Sequence, residues 1–136
     1  MAEIIFPFEE SHSDIFGKIH RPVAQVQFWS DHLNNWLNVT LIVDTGADYT
    51  ILPRFYAHYL GVNLKKECEL HRTSGIGGME SVHLFRDARI RLGAWERIIP
   101  VGFISHSNVP PLLGRQSCIE TFKLTLQKKT VRFGKL

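Results

Sequence analysis

The chain has 136 residues, 44% of them apolar and 21% charged, with 16 Lys and Arg against 13 Asp and Glu for a formal charge of +3. That is about one domain's length with enough apolar residues to bury a core, which excludes a disordered segment, a fibrous repeat and a multidomain enzyme. The excess charge is scattered: its dense stretches are Lys65-Lys66 and Lys128-Lys129 with Arg132 and Lys135, and no recognition motif accompanies them, so nucleic acid is not an expected partner.

Residues 1–19 read as an acidic N-terminal extension without a sustained period, and residues 20–136 as the domain. The first ten residues carry acids where a signal peptide carries bases, and Pro7 interrupts their apolar run. No stretch approaches the about 18 consecutive apolar residues of a membrane span. The expectation is a chain of the reduced cytoplasm, without membrane contact, for which the Asn38-Val39-Thr40 sequon has no meaning.

From Val23 the pattern is short strands. Ala24, Val26 and Phe28 alternate with Gln25 and Gln27, and turn-formers from Asp31 to Asn35 predict a hairpin into Trp36–Val43. That second strand is almost entirely apolar or β-branched and stops at Asp44-Thr45-Gly46. Tyr49–Leu52 is a short run ended by Pro53, after which Arg54–Leu60 is predicted helical, with Gly61 as its C-terminal cap. Strands Lys66–Arg72 and Ser81–Leu92 flank Gly75-Ile76-Gly77-Gly78 as a half-solvated hairpin. Arg97–Ile104 is a further strand, Pro110–Gly114 is extended, Arg115–Phe122 is a second predicted short helix, and Lys123–Phe133 supplies one or two last strands. The class is all-β with one or two short helices, in a closed or sandwiched barrel.

Two cysteines, Cys68 and Cys118, are too few for a disulfide framework. Cys68 and His71 resemble half a metal site, but a strand points them to opposite faces and no second pair follows, so no metal is expected.

Asp44 sits directly after an apolar strand, where a carboxylate at the edge of the core needs hydrogen bonds or a partner charge. As a tripeptide, Asp-Thr-Gly is an ordinary turn. In context, Leu41–Asp48 resembles the active-site segment of retropepsin-like aspartic proteases. Ser74–Gly78 resembles their glycine-rich flap tip, and Leu112-Leu113-Gly114-Arg115 their apolar-apolar-Gly-Arg segment. The three stand in the family's order. As a phosphate cradle the glycine run fails, because Glu80 replaces the third glycine and no helix follows.

The resemblance implies an aspartic endopeptidase without cofactor, in which two facing carboxylates share one proton and hold a water. Only one Asp-Thr-Gly is present, so it also implies a homodimer with Asp44 facing its symmetry mate. On that reading Thr45 braces the paired loops and Gly46 lets substrate backbone approach. Asp48 supports substrate and pairs with Arg115. Gly75, Ile76 and Gly77 form the flap tip, and Ala47, Ile76, Met79, Pro110 and Leu112 line apolar pockets for an extended polypeptide. Tyr49 departs from the family, which often has an acid or asparagine there, and this bears on the outer pockets. Phe6-Pro7 has the form of a bond such enzymes cleave and is a self-processing candidate in the extension. The alternatives are an inactive dimerisation or peptide-binding module on the same fold, and a basic nucleic-acid-binding β-barrel.

Overall fold

β-Branched and aromatic residues at alternating positions favour extended backbone with one buried face. The computed structural model is built mostly of such segments and describes residues 3–75, 78–105 and 108–136. The first strands are β1 (Ile4–Pro7), β2 (Glu9–Ser13), β3 (Gly17–Arg21), β4 (Val23–Ser30), β5 (Asn35–Val43) and β6 (Thr50–Pro53). Two short helices follow, α1 (Phe55–Leu60) and α2 (Leu64–Glu67). Then come β7 (Glu69–Gly75), β8 (Gly78–Leu92), β9 (Trp95–Ile104), β10 (Leu112–Leu113), a 3₁₀ turn at Ile119–Thr121, β11 (Phe122–Gln127) and β12 (Thr130–Lys135).

Seven strands form one sheet in the order β4-β5-β10-β6-β9-β8-β7. A further pairing of β4 with β8, Gln27 opposite Arg91 and Phe28 opposite Ile90, closes it on itself. The expected all-β barrel is therefore what the chain forms. Its interior is filled by Val26, Phe28, Leu41, Leu52, Ile90, Leu92, Ile99, Val101, Phe103 and Leu113, all essentially inaccessible to solvent. The antiparallel sheet β1-β12-β11 adds Val131 and Phe133 to the same core. The least local feature is β10. It runs parallel to β5 and antiparallel to β6, so two residues from late in the chain are threaded between strands from its first half.

Three local expectations are corrected. Arg115–Phe122 is not an α-helix. The N–H groups of Arg115 and Gln116 donate to Ala47 and Asp48 carbonyls at 3.0 and 2.8 Å, and Ser117 has φ +56°. Only the 3₁₀ turn remains. The strand predicted from Lys66 starts instead at Glu69, because residues 64–67 coil into α2. There Asn63 Oδ1 accepts the N–H groups of Lys65 and Lys66 at 3.0 Å each, and Glu67 Oε2 accepts the Asn63 N–H at 2.6 Å. Residues 3–21 carry regular structure where no period was legible. β1 pairs with β12, and Phe6 is half-buried edge-on to Phe133 at 6.2 Å, so the Phe6–Pro7 bond lies in a paired strand. β2 and β3 pair with each other.

Candidate active site

Asp44 follows β5 at the point where three segments converge. Its N–H donates to the Leu113 carbonyl of β10 at 3.0 Å, and the preceding Val43 N–H donates to the Pro22 carbonyl at 2.9 Å. Beyond it the chain turns: Ala47 N–H reaches the Asp44 carbonyl at 3.2 Å, and Gly46 N–H donates to Asp44 Oδ1 at 2.9 Å. The carboxylate is half-buried, whereas Thr45 and Gly46 are exposed. This backbone hydrogen bond holds one carboxylate oxygen and leaves the other for a partner. Gly46 is close to this carboxylate, since a Cβ there would lie 3.3 Å from Asp44 Oδ1.

The loop after Asp44 is latched to the segment after β10. Arg115 Nη2 contacts Asp48 Oδ1 at 2.6 Å, and the two backbone bonds from Arg115 and Gln116 run beside it. Both side chains are substantially exposed, so the ion pair alone contributes at most about 1 kcal/mol. The tighter part of the latch is steric. Gly114 lies so close to Tyr49 that a Cβ would sit 2.3 Å from its carbonyl carbon and oxygen. The Gly114 N–H donates to the buried hydroxyl of Thr50 at 3.1 Å. Tyr49 itself is turned inward: a Cβ on Gly102 would meet its ring at 2.6 Å. Burial, and secondarily the nearby Asp48 charge, raises its phenol pKa. The residue that departs from the family pattern is thus part of the scaffold.

The other expected site residues divide. Ala47 is half-buried in the Asp44 loop, and Leu112 is half-buried opposite Ile42. Pro110 is exposed and, with Pro111, borders a cavity of about 240 Å³ beside Ile42. Gly75 ends β7 opposite Gly78, the first residue of β8, and Met79 next to it is 68% exposed. They share no hydrogen bond with the Asp44 loop among the described residues. Ile76 and Gly77 lie outside the described residues. Pro22 and Thr50 escaped the sequence reading. A backbone carbonyl leaves no trace in a sequence, but a polar β-branched residue inside an apolar run was a usable signal for Thr50.

Rival chemistries find less support. The Cys68 thiol is pushed up to about 11 by burial and by Glu67, and the Cys118 thiol to about 12 by burial against the opposing pull of Arg97. Neither is a thiolate nucleophile near neutrality. Among the described residues no three His, Cys, Asp or Glu side chains gather as a metal would require. A cavity of about 730 Å³ lies beside α1 and α2 between Phe55, His58 and Leu64, and shares no lining residue with the Asp44 loop. At Asp44 a hydrogen-bonded carboxylate and a latched loop coincide. No helix is long and apolar enough to cross a membrane among the described residues.

Residues 32–117 match the family model described as aspartyl protease. No curated protein matches the chain in sequence. Among solved structures, a retropepsin-like aspartic protease from Rickettsia conorii superposes with a TM-score of 0.64 at 20% identity, over 97% of this chain and 98% of that one. With the family model spanning well over half its length, and the barrel shared, this chain belongs to the aspartyl protease family and has the retropepsin-like fold.

Proposed function

We propose that the chain is an endopeptidase that works as a homodimer, with the carboxylates of Asp44 and its symmetry mate facing each other across a twofold axis. The observation that carries this reading is the single Asp-Thr-Gly of the chain, set on a loop whose carboxylate is half-buried and hydrogen-bonded by Gly46 N–H. One such loop provides half of an acid pair, and an isologous dimer supplies the other half.

Two like charges at close range cannot both ionise, so one carboxyl keeps its proton. The ionised carboxylate takes a proton from the water between them as that water attacks the scissile carbonyl. The neutral carboxyl gives its proton to the carbonyl oxygen. Collapse of the resulting gem-diol breaks the C–N bond as the departing nitrogen is protonated. Thr45 braces the two loops against each other, and Gly46 leaves room for substrate backbone. Asp48, held by Arg115, and the apolar Ala47, Leu112, Pro110 and Met79 receive an extended polypeptide as an added strand. Hairpin β7–β8, whose described pairing ends at Gly75 opposite Gly78, acts as the flap that excludes bulk water during the reaction.

The test is cleavage of a peptide library by wild type and Asp44→Asn, with mass measured in solution. Wild type should run as a dimer and cut, and Asp44→Asn should lose about 10³-fold or more in rate while remaining folded. Equal cutting by both proteins rejects Asp44 as the acid pair, and a strictly monomeric active wild type rejects the shared site. A folded dimer that binds peptides without cutting them establishes the binding-module alternative.

A further inference from the structure

Away from the Asp44 loop, the chain makes a second concave surface where β6 gives way to the two helices. The Arg54 N–H donates to the Ile104 carbonyl at 2.8 Å, which ties the start of α1 to the end of β9. Gly61 ends α1 in the left-handed region at φ +73°, and Asn63 then caps α2. The reversal leaves the cavity of about 730 Å³ between the helices and Ser105, just past β9. Its volume falls in the range of small-molecule sites, about 300–1,000 Å³.

The lining divides by chemistry. Pro53 and Ala57 are buried and Val62 and Leu64 half-buried, and together they make an apolar floor. Phe55 stands at the edge, 53% exposed and stacked on Tyr56 at 4.6 Å. Arg54 and Lys65 are exposed at the rim. Arg86, Arg89 and Arg115 each have a carboxylate within ion-pair distance, whereas Arg54 and Lys65 have none among the described residues. Two acids of the adjoining segments are engaged elsewhere: Glu67 Oε2 accepts the Asn63 N–H at 2.6 Å, and Asp31 Oδ1 accepts Trp29 Nε1–H at 2.9 Å. No acidic side chain is among the described lining residues.

Positive charge without a counter-charge, set over an apolar floor, selects a guest with both features. A bare anion leaves the floor wet, and a neutral hydrocarbon leaves the two cations unanswered. A carboxylate on an apolar body answers both. The Arg54 guanidinium and the Lys65 ammonium offer it charge-assisted hydrogen bonds, and its hydrocarbon displaces water from the floor and the Phe55 ring.

We propose that this cavity is a binding site for a small apolar carboxylate, a hydrocarbon chain or ring bearing one carboxyl group. The site shares no residue with the Asp44 loop, so it stands whether or not the chain cuts peptides. Because α2 leads through Cys68 into β7, its occupant lies beside the segment that enters hairpin β7–β8.

The test is calorimetric titration of octanoate and 2-naphthoate onto wild type, Arg54→Gln/Lys65→Gln, Ser105→Trp and Lys128→Gln, with 1-octanol, acetate and inorganic phosphate as comparison ligands. At least one of the two carboxylates should saturate wild type at one molecule per chain. Octanol, acetate and phosphate should each bind at least about tenfold more weakly. The double variant should lose about tenfold or more in affinity, and so should Ser105→Trp, which fills the cavity from its exposed edge. Lys128→Gln, at the turn between β11 and β12, should bind as wild type does. If Ser105→Trp fails to fold, the double variant decides, since both its positions are exposed. Binding of neither carboxylate, or equal binding by wild type and the double variant, overturns the site. Phosphate binding as tightly as the carboxylates reduces it to an ordinary basic patch and overturns it equally. Asp44→Asn should keep the full affinity for the carboxylate, so this site and the peptidase reading fail separately.

Discussion

Hairpins β2–β3 and β7–β8 are both antiparallel, yet they are held by different forces. β8 extends over 15 residues, and its lower part places Val82, Ala88, Ile90 and Leu92 in the barrel core while pairing with β9 and β4. Strands β2 and β3 have five residues each and pair only with one another. The tip of hairpin β2–β3 exposes Ile15 and Phe16 by 84% and 78%, and its turn is closed by Ser13 Oγ, which accepts both their N–H groups at 3.2 Å. One hairpin is a continuation of the core; the other is held by backbone pairing and local turn chemistry. A disturbance at the root of β7–β8 must reach the whole barrel, and a disturbance in β2–β3 should stay where it is made.

The largest expected effect tests the first half of that contrast. Ile90 is fully buried and lies opposite Phe28 where β4 and β8 close the barrel. Ile90→Ala should cost about 2–5 kcal/mol of global stability by denaturant titration, from lost burial and the cavity left behind. A smaller effect tests the second half. Gly17 has φ +72° with nothing within 4 Å of an added Cβ, so Gly17→Ala carries backbone strain without a clash, about 1 kcal/mol. Its midpoint should stay near wild type while amide exchange speeds up across residues 9–21. A midpoint lowered as far as that of Ile90→Ala would show that hairpin β2–β3 belongs to the core after all.

The same contrast explains what the sequence disclosed. β4, β5 and the lower part of β8 bury one face or both, so their apolar patterns were readable, as was the carboxylate that ends β5. β2 and β3 bury neither face, and a strand with no buried side has no hydrophobic period to read. The helix expected after Gly114 failed for a related reason. Its first N–H groups are drawn to the Ala47 and Asp48 carbonyls by a contact between distant segments, which local propensity does not register. Tyr49 was visible as a departure from the family pattern. Its packing against Gly102 and Gly114 became clear only once three separate segments were brought together.

The smallest expected effect is a pH response at the root of β7–β8. Glu69 begins β7, and Arg86 lies at the bulge in β8 where the register with β9 shifts. The Arg86 Nε and Nη2 groups both bind the Glu69 carboxylate, the latter at 3.1 Å, and His71 Nε2 stands 3.3 Å from it. The Arg86 hydrogen bond, then that of His71, lowers the Glu69 pKa below the usual carboxylate value. A carboxyl held low when folded contributes stability that is complete above its ordinary pKa and is lost as pH falls through the lowered one. Acidification through that range should therefore lower the amide protection factors at the start of β7, taken relative to intrinsic exchange at each pH. The central strands should respond less, because no acidic side chain is buried among the described residues. Glu69→Gln should show the wild type's acid protection factors already at neutral pH, and those factors should change little on further acidification. An equal acid response in both proteins would place the titrating group elsewhere and leave the two hairpins distinguished by their packing alone.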